Sequence, residues 1–205
     1  MGIAQHLWQQ KRYLKGLKML EVGCGTGLVS QAAALAGATV VASDVSPIAL
    51  TLTRQGWKAT TTASQRDEFS LATSIYDVSS PLPNDEIDVL VASCVLYEGD
   101  LGVIMARRIA EAYERGIWII LGDDDAGFRE GGRQRFVEQL EDDINVSVKW
   151  NHGVVRCSEL GWKQKSFSYL ELNAPRQVAE KETASVVDQD HGEIYDRILT
   201  RRLLG

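Results

Sequence analysis

Gly23, Gly25 and Gly27 alternate between an apolar run, Met19 to Val22, and an Ala-rich segment, Leu28 to Ala36. That order reads as a strand, a tight loop and a helix. Glycine lets the loop turn where a Cβ would clash and lets a ligand approach the backbone closely. The first N–H groups of the following helix have no partners within it, so they face that ligand. Glu21 sits within the first run, and Asp44 closes a second one, Ala38 to Ser43. An acid at the tip of a second strand can accept hydrogen bonds from both hydroxyls of a ribose. The implied chemistry is the holding of a nucleoside-like cofactor.

The glycine spacing separates two kinds of cofactor. A dinucleotide fingerprint is G-x-G-x-x-G. Here the pattern is G-x-G-x-G, and Leu28 stands where the third dinucleotide glycine would fall. That disfavours a nicotinamide-dependent oxidoreductase. The unit from Leu17 to Asp44 resembles motif I and its partner acid in the class I S-adenosylmethionine (SAM) methyltransferases.

The resemblance extends over Ile3 to Leu172 and implies roles for particular residues. The backbone of Gly23, Cys24 and Gly25 would approach the methionine part of SAM, with Gly27 completing the loop. Glu21 would brace that loop and meet the ammonium group. Asp44 would bind the ribose hydroxyls, its plainer role being a helix cap, and Val45 would pack on the adenine. Tyr76-Asp77-Val78, the proline-bearing loop from Pro81 and the strand around Ile87-Asp88-Val89 resemble the family's next signature. Asp77 would accept from the adenine amino group, or merely start a turn, and Tyr76 would cover the ring.

Ser93-Cys94-Val95-Leu96-Tyr97 falls where the family places residues facing the transferred methyl. Ser93 is counted with the cofactor residues, and Cys94 and Tyr97 with the catalytic ones. The wording LEVGCGTGL, the early Trp8 and the Gly122-Asp123 pair with Arg129 are closest to the family-16-like lysine methyltransferase group. That group reads Asp-x-x-Tyr at this place. Tyr97 matches its tyrosine, but Cys94 stands at the acid's position. The implied activity is methyl transfer from SAM to a nitrogen of a protein side chain. The alternatives are a small-molecule N- or O-methyltransferase and a SAM-fold protein that binds without catalysis. Tyr97 has a structural alternative too, as a ring packed under the following helix.

Other polar clusters carry less. Asp123-Asp124-Asp125 could hold a divalent ion through oxygen ligands, although acids at a loop start are usually solvated, and no metal is expected. His6, His152 and His191 stand far apart without a triad or metal-ligand spacing, so packing or surface roles are expected. Of the three, only His152 is a candidate base near the pocket.

The elements that must position these residues alternate between strand and helix. Strands are expected at Lys18–Val22, Thr39–Ala42, Trp57–Thr62, Ile87–Cys94, Ile117–Leu121, Asn145–Trp150 and Ser166–Leu172. Another short element ends at Ile75–Asp77. Helices are expected at Ile3–Leu14, Leu28–Ala36, Pro47–Gln55, Leu101–Arg115 and Arg133–Leu140. Ser46 and Pro47 open their helix as N-cap and N1 residues. Such alternation predicts an α/β fold with a doubly wound, mostly parallel sheet and helices on both faces. The family resemblance implies seven strands, one of them an antiparallel addition at an edge. Residues 1–172 would form the methyltransferase domain. Residues 173–205 read as a polar linker and a short helix with Ile194, Ile198, Leu199 and Leu203 at helical spacing.

The bulk numbers are those of an ordinary globular domain: 205 residues, 44% hydrophobic and 24% charged. No apolar run reaches the roughly 18 residues of a membrane span. A net charge of −6 argues against nucleic acid as the main acceptor, since phosphates favour a basic surface. A protein or a small molecule is expected instead. Cys24, Cys94 and Cys157 form no C-x-x-C pair and read as reduced thiols of a cytoplasmic protein.

Overall fold

A computed structural model describes residues 2–123, 131–157 and 162–175. In chain order the elements are α1 (Gly2–Gln9), α2 (Lys11–Leu14), β1 (Lys18–Val22), α3 (Leu28–Leu35), β2 (Thr39–Asp44), α4 (Pro47–Thr60) and α5 (Ala63–Glu68). They continue with β3 (Leu71–Ile75), β4 (Val89–Ser93), α6 (Gly99–Glu114), β5 (Trp118–Asp123), α7 (Gly132–Ile144), β6 (Asn151–Cys157) and β7 (Trp162–Leu172). One seven-stranded sheet runs β3-β2-β1-β4-β5-β7-β6. The first five strands are parallel, and β7 lies antiparallel between β5 and β6. The expected doubly wound architecture is therefore present, with its antiparallel pair at one edge.

β4 and β5 are buried along almost their whole length, as continuous apolar runs in a parallel sheet must be. One face of the sheet packs through Met19, Val40, Val89, Val91 and Ile120 against α1 and α3, with Trp57 from α4 in the same cluster. The other face packs through Leu20, Leu90, Ala92, Ile119 and Leu121 against Met105 and Ile109 of α6 and Phe136 and Leu140 of α7. Trp8 belongs to the first core and is nearly enclosed.

Four local expectations need correction. The N-terminal helix breaks at Gln10, leaving α1 and the single turn α2. Trp57–Thr62 is not a strand, because α4 runs through Gly56 to Thr60. Leu50, Thr53 and Trp57 bury one face at helical spacing, and this periodicity outweighs the β-branched residues that follow Trp57. Residues 145–150 form no strand either. Asn145 caps α7 with φ 51°, and the Val148 N–H donates to the Glu141 carboxylate at 2.8 Å instead of to a ladder. The outer strand therefore begins at Asn151, and His152 lies within β6 rather than in a connection.

The crossover from β3 to β4 passes β2 and β1 without a helix. Residues 76–88 make it as a loop whose Leu82 is buried in the second core. The C-terminal half of α6 holds that loop in place. Both Glu111 carboxylate oxygens accept from the Leu82 N–H at 3.1 Å. Arg115 donates to the carbonyls of Pro83 (3.0 Å) and Asp85 (3.1 Å). The proposed tail from residue 176 onward, with its helix, lies outside the described residues, as do Asp124, Asp125, Arg129 and His191.

Candidate functional site

The carboxyl ends of β1, β2 and β4 meet at the glycine loop, the usual place for ligands in an open parallel sheet. Gly23, Gly25 and Gly27 have φ of 70°, 53° and 76°, the left-handed region that L side chains avoid. A Cβ on Gly23 would lie 2.8 Å from Val95 Cγ1, so this glycine is needed for packing against the β4 tip as well. A Cβ on Gly25 would meet no heavy atom within 4 Å. The space before Gly25 is thus open to an approaching molecule.

Glu21 lies below the loop and is 1% exposed. It accepts from the Ser30 hydroxyl at the start of α3. Burial pushes its carboxyl up to about 7, opposed by the Ser30 hydrogen bonds and assisted by the nearby Asp44 charge. A group poised at this value changes charge near neutrality. Here Glu21 serves first as a brace that ties β1 to α3.

Asp44 ties the loop to the β2–α4 turn. Its Oδ2 accepts from the Gly25 N–H at 3.0 Å and its Oδ1 from the Ser46 N–H at 2.9 Å. The helix cap proper is Ser46, whose hydroxyl accepts from the Ala49 N–H at 3.3 Å. Each carboxylate oxygen has a second acceptor site, and Asp44 is only half-buried. It can therefore keep both backbone bonds while accepting from a diol.

Cys24 places its backbone in the loop and its side chain inward, against Ala42 and Leu50. Burial pushes its thiol up to about 11, so it is protonated and no nucleophile. Its Sγ lies 3.6 Å from Thr53 Oγ1, which donates to the Gly25 carbonyl at 3.1 Å. Thr53 holds the loop from α4, and sequence reasoning missed it. The signal was present: a threonine at the buried helical spacing of Leu50 and Trp57. Ser30 escaped notice for the same reason, being one polar residue in an apolar helix face.

The rim of the site is apolar and solvent-facing. Val45 is 61% exposed beside Asp44, and Ile75 is 59% exposed at the end of β3. Tyr76 is half-buried, donates its hydroxyl proton to the Ser80 carbonyl at 3.0 Å, and has its phenol raised to about 12 by burial. Asp77 is exposed and accepts from the Ser79 N–H at 2.9 Å, which holds its carboxyl below the ordinary range. Asp77 thus forms the turn anticipated as its plainer role, and its exposure still allows a ligand contact.

At the β4 tip, Ser93 is half-buried and Cys94 takes a left-handed φ of 58°. The Cys94 N–H donates to the Gly122 carbonyl at 2.8 Å, and the Tyr97 N–H to the Val95 carbonyl at 3.0 Å. The chain therefore turns sharply at Cys94, and Tyr97 is 57% exposed. His152 is not near this site. It sits on the outermost strand, three positions from β4 in the sheet, with Nδ1 3.2 Å from the Ser168 hydroxyl. His6 is a packed residue, its ring tilted by 42° at 4.5 Å from that of Tyr169 and its Nε2 3.6 Å from Glu171. Asp123 is buried at the end of β5.

These residues fit a nucleoside-bearing ligand: an open glycine backbone, an acid with spare acceptor sites, and exposed apolar side chains on either side. Comparison with known proteins agrees on the fold. A family model described as a methyltransferase domain matches residues 20–112, the stretch from β1 to α6 that holds every residue of the site. No curated protein matches the chain. Among solved structures, the magnesium protoporphyrin IX methyltransferase of Synechocystis with bound S-adenosylhomocysteine is similar. Its TM-score is 0.58 at 16% identity, covering 82% of this chain and 81% of that one. A putative RNA methyltransferase from Pyrococcus horikoshii has a TM-score of 0.55 at 15% identity, covering 82% and 81%. A TehB-like SAM-dependent methyltransferase from Corynebacterium glutamicum has a TM-score of 0.54 at 17% identity, covering 82% and 86%.

Proposed function

We propose that this chain is a class I SAM-dependent methyltransferase and that it transfers the methyl group to a nitrogen of a protein side chain. The observation that carries the cofactor site is the Asp44 carboxylate drawn against the Gly25 amide beneath an open face of the loop. When bound, SAM supplies an electrophilic methyl carbon on a sulfonium. Gly23, Cys24 and Gly25 would offer backbone to its methionine end. Asp44 would accept from the ribose hydroxyls. Val45 and Tyr76 would enclose the adenine, and Asp77 would meet its amino edge.

Methyl transfer is an in-line displacement, so the protein mainly positions the acceptor and accommodates any proton it loses. Ser93, Cys94 and Tyr97 lie within one sharp turn at the β4 tip. An exposed phenol can orient an amine by hydrogen bonding and can lie against a cationic group. Neither Cys94 nor Tyr97 is a carboxylate, so an amine that arrives protonated would lose its proton to solvent before transfer. Kinship with the family-16-like group rests on Tyr97 and the glycine-loop wording, with Cys94 as the departure. The acidic net charge suits a basic protein segment.

A small-molecule acceptor is the second reading. The open rim beside Ile75 and Tyr97 would admit one, and a fold neighbour acts on magnesium protoporphyrin IX. Incubation with methyl-labelled SAM and fractionated cell extract separates the two. Label in a protein band that survives as methylated lysine or another side-chain nitrogen supports the proposal. Label confined to the small-molecule fraction overturns it in favour of the second reading.

A further inference from the structure

A threonine inside a helix can donate its hydroxyl to the carbonyl four residues back. In α4, Thr51 and Thr60 reach the carbonyls of Pro47 at 2.9 Å and Gly56 at 2.8 Å in this way. Thr53, fully buried on the same helix, turns its hydroxyl away to the Gly25 carbonyl at 3.1 Å. Cys24 Sγ lies 3.6 Å from that hydroxyl oxygen, so the thiol can donate to it while the hydroxyl donates onward. The same side chain occupies the space beside Gly27, its Oγ1 only 2.6 Å from where a Cβ would lie. One side chain of α4 thus meets Cys24, Gly25 and Gly27.

Asp44 holds the other side of Gly25, accepting from its N–H at 3.0 Å. The peptide plane before Gly25 is therefore tied to β2, and the plane after it to α4. Each peptide unit is planar and rigid. With both flanking planes pinned, the two torsions of Gly25 are set, at the left-handed φ of 53°. An unrestrained glycine populates positive and negative φ about equally. A loop of alternating glycines that its ligand had to order would bind that ligand more weakly, and a loop ordered beforehand spares that cost. The entry to the loop is fixed from β2, because the Cys24 N–H donates to the Ser43 carbonyl at 2.9 Å. Its centre rests on Asp44 and Thr53.

We infer that Thr53 is a positioning residue for the cofactor: its hydroxyl fixes the peptide after Gly25, and SAM affinity depends on that bond. The inference rests on the reading of this loop as the SAM site. Thr53 is fully buried behind the loop, so it acts through Gly25 and not by touching SAM. Gly25 itself is half-buried and its bond to Thr53 part-buried. Without the hydroxyl, the loop can turn the Gly25 carbonyl to water. The fold then loses little, while Gly25 loses one of its two anchors.

The test uses the full chain, with calorimetric SAM titration and melting curves. Thr53→Val removes the hydroxyl and keeps the shape. Thr53→Ser keeps the hydroxyl and removes the methyl group. Thr53→Val should lose about tenfold in SAM affinity with little change in melting temperature. Thr53→Ser should bind within about threefold of the wild type. Thr51→Val, which loses a hydroxyl bonded within its own helix, should bind as the wild type does. Added to Asp44→Asn, Thr53→Val should cost less than the product of the two separate losses, because both act on one residue. Unchanged affinity in a folded Thr53→Val protein would overturn the inference. So would equal losses in the Val and Ser variants, which would assign the effect to packing, or an equal loss in Thr51→Val. Losses that simply multiply would overturn the shared hold on Gly25. A wild type that binds no SAM would overturn the cofactor reading itself, and each of the other outcomes requires a wild type that binds.

Discussion

The Gly25 N–H donates to Asp44 Oδ2 at 3.0 Å, so the acid that ends β2 fixes the centre of the glycine loop before any cofactor arrives. The same carboxylate takes the Ser46 N–H on its other oxygen. A ribose diol would then meet an acceptor that is already oriented.

Asp44→Ala removes the loop tether and the proposed ribose acceptor together. Losing hydrogen bonds to a charged group costs about 1.5–3 kcal/mol, roughly ten- to hundredfold in SAM affinity. Asp44→Asn, which keeps one acceptor oxygen, should lose less. Calorimetric titration with SAM on variants that melt cooperatively measures this. An unchanged dissociation constant in a folded Asp44→Ala protein would mean that the ribose lies elsewhere.

The three loop glycines should respond differently to alanine. Gly27→Ala would put a Cβ within 2.5 Å of Thr53 and within 2.9 Å of its Cβ. With a left-handed φ as well, it should cost about 2 kcal/mol or more. Gly25→Ala carries only the backbone strain, of order 1 kcal/mol, but fills the open approach. It should therefore lose SAM affinity out of proportion to its fall in melting temperature. Melting curves and titrations on both variants check the ordering, and equal effects on both quantities would count against an open cradle at Gly25.

The legible parts of this molecule were those where one short pattern fixes both backbone and burial. Gly23, Gly25, Gly27, Asp44 and Ser46-Pro47 each announce a local geometry, and β1, α3, β2 and the start of α4 follow. The illegible parts depend on partners distant in sequence. Nothing near Val148 signals that its N–H will bond to Glu141, so 145–150 read as a strand. Gly56 reads as a stop, yet Trp57 has a core to fill one turn beyond Thr53, and the helix continues. Thr53 acts through the Gly25 carbonyl, 28 residues earlier, which no local pattern reports. The acceptor side is hardest to read, because an exposed Tyr97 and an αL Cys94 belong to no spacing rule.

Glu21 gives the fold a pH dependence of definite sign. Its folded value of about 7 lies above the ordinary 4.5. Between these values the folded state keeps a proton that the unfolded state has lost. This contribution to stability is therefore greatest below about 4.5, falls as pH rises towards about 7, and is level above that. The full span is on the order of 3 kcal/mol. Glu21→Gln keeps an oxygen for the Ser30 hydroxyl and removes the titration. Denaturant unfolding at pH 5 and pH 8 should show the wild type losing stability relative to Glu21→Gln at the higher pH. Parallel profiles for the two proteins would show that Glu21 does not titrate in this window.

Glu111 holds the helix-free crossover to α6. Replacing it by Ala leaves the part-buried Leu82 N–H without its acceptor and frees the Arg108 and Arg115 contacts. The expected cost is about 1–3 kcal/mol. Glu111→Gln, which retains an acceptor oxygen, should recover part of it. Limited proteolysis within residues 76–88 should speed up in Glu111→Ala first, and an unaltered cleavage rate there would show that Leu82 burial alone secures the loop.

Tyr97 should matter for turnover and little for folding or cofactor affinity. The residue is 57% exposed just past the β4 tip, so truncation leaves no core cavity. Exposed substitutions of this kind usually stay within about 0.5 kcal/mol. Tyr97→Ala should therefore melt close to the wild type and bind SAM with similar affinity. If the hydroxyl orients the acceptor, Tyr97→Phe lowers the methyl transfer rate about as much as Tyr97→Ala does. If only the ring face matters, by lying against a cationic acceptor, Tyr97→Phe stays active and Tyr97→Ala does not. A Tyr97→Ala variant that unfolds at much lower temperature would return the residue to a packing role. Label transfer, SAM titration and melting on the two variants distinguish these cases. A Tyr97→Ala enzyme with full activity and unchanged stability would remove Tyr97 from the site and leave Ser93 and Cys94 to shape the acceptor side of the β4 tip.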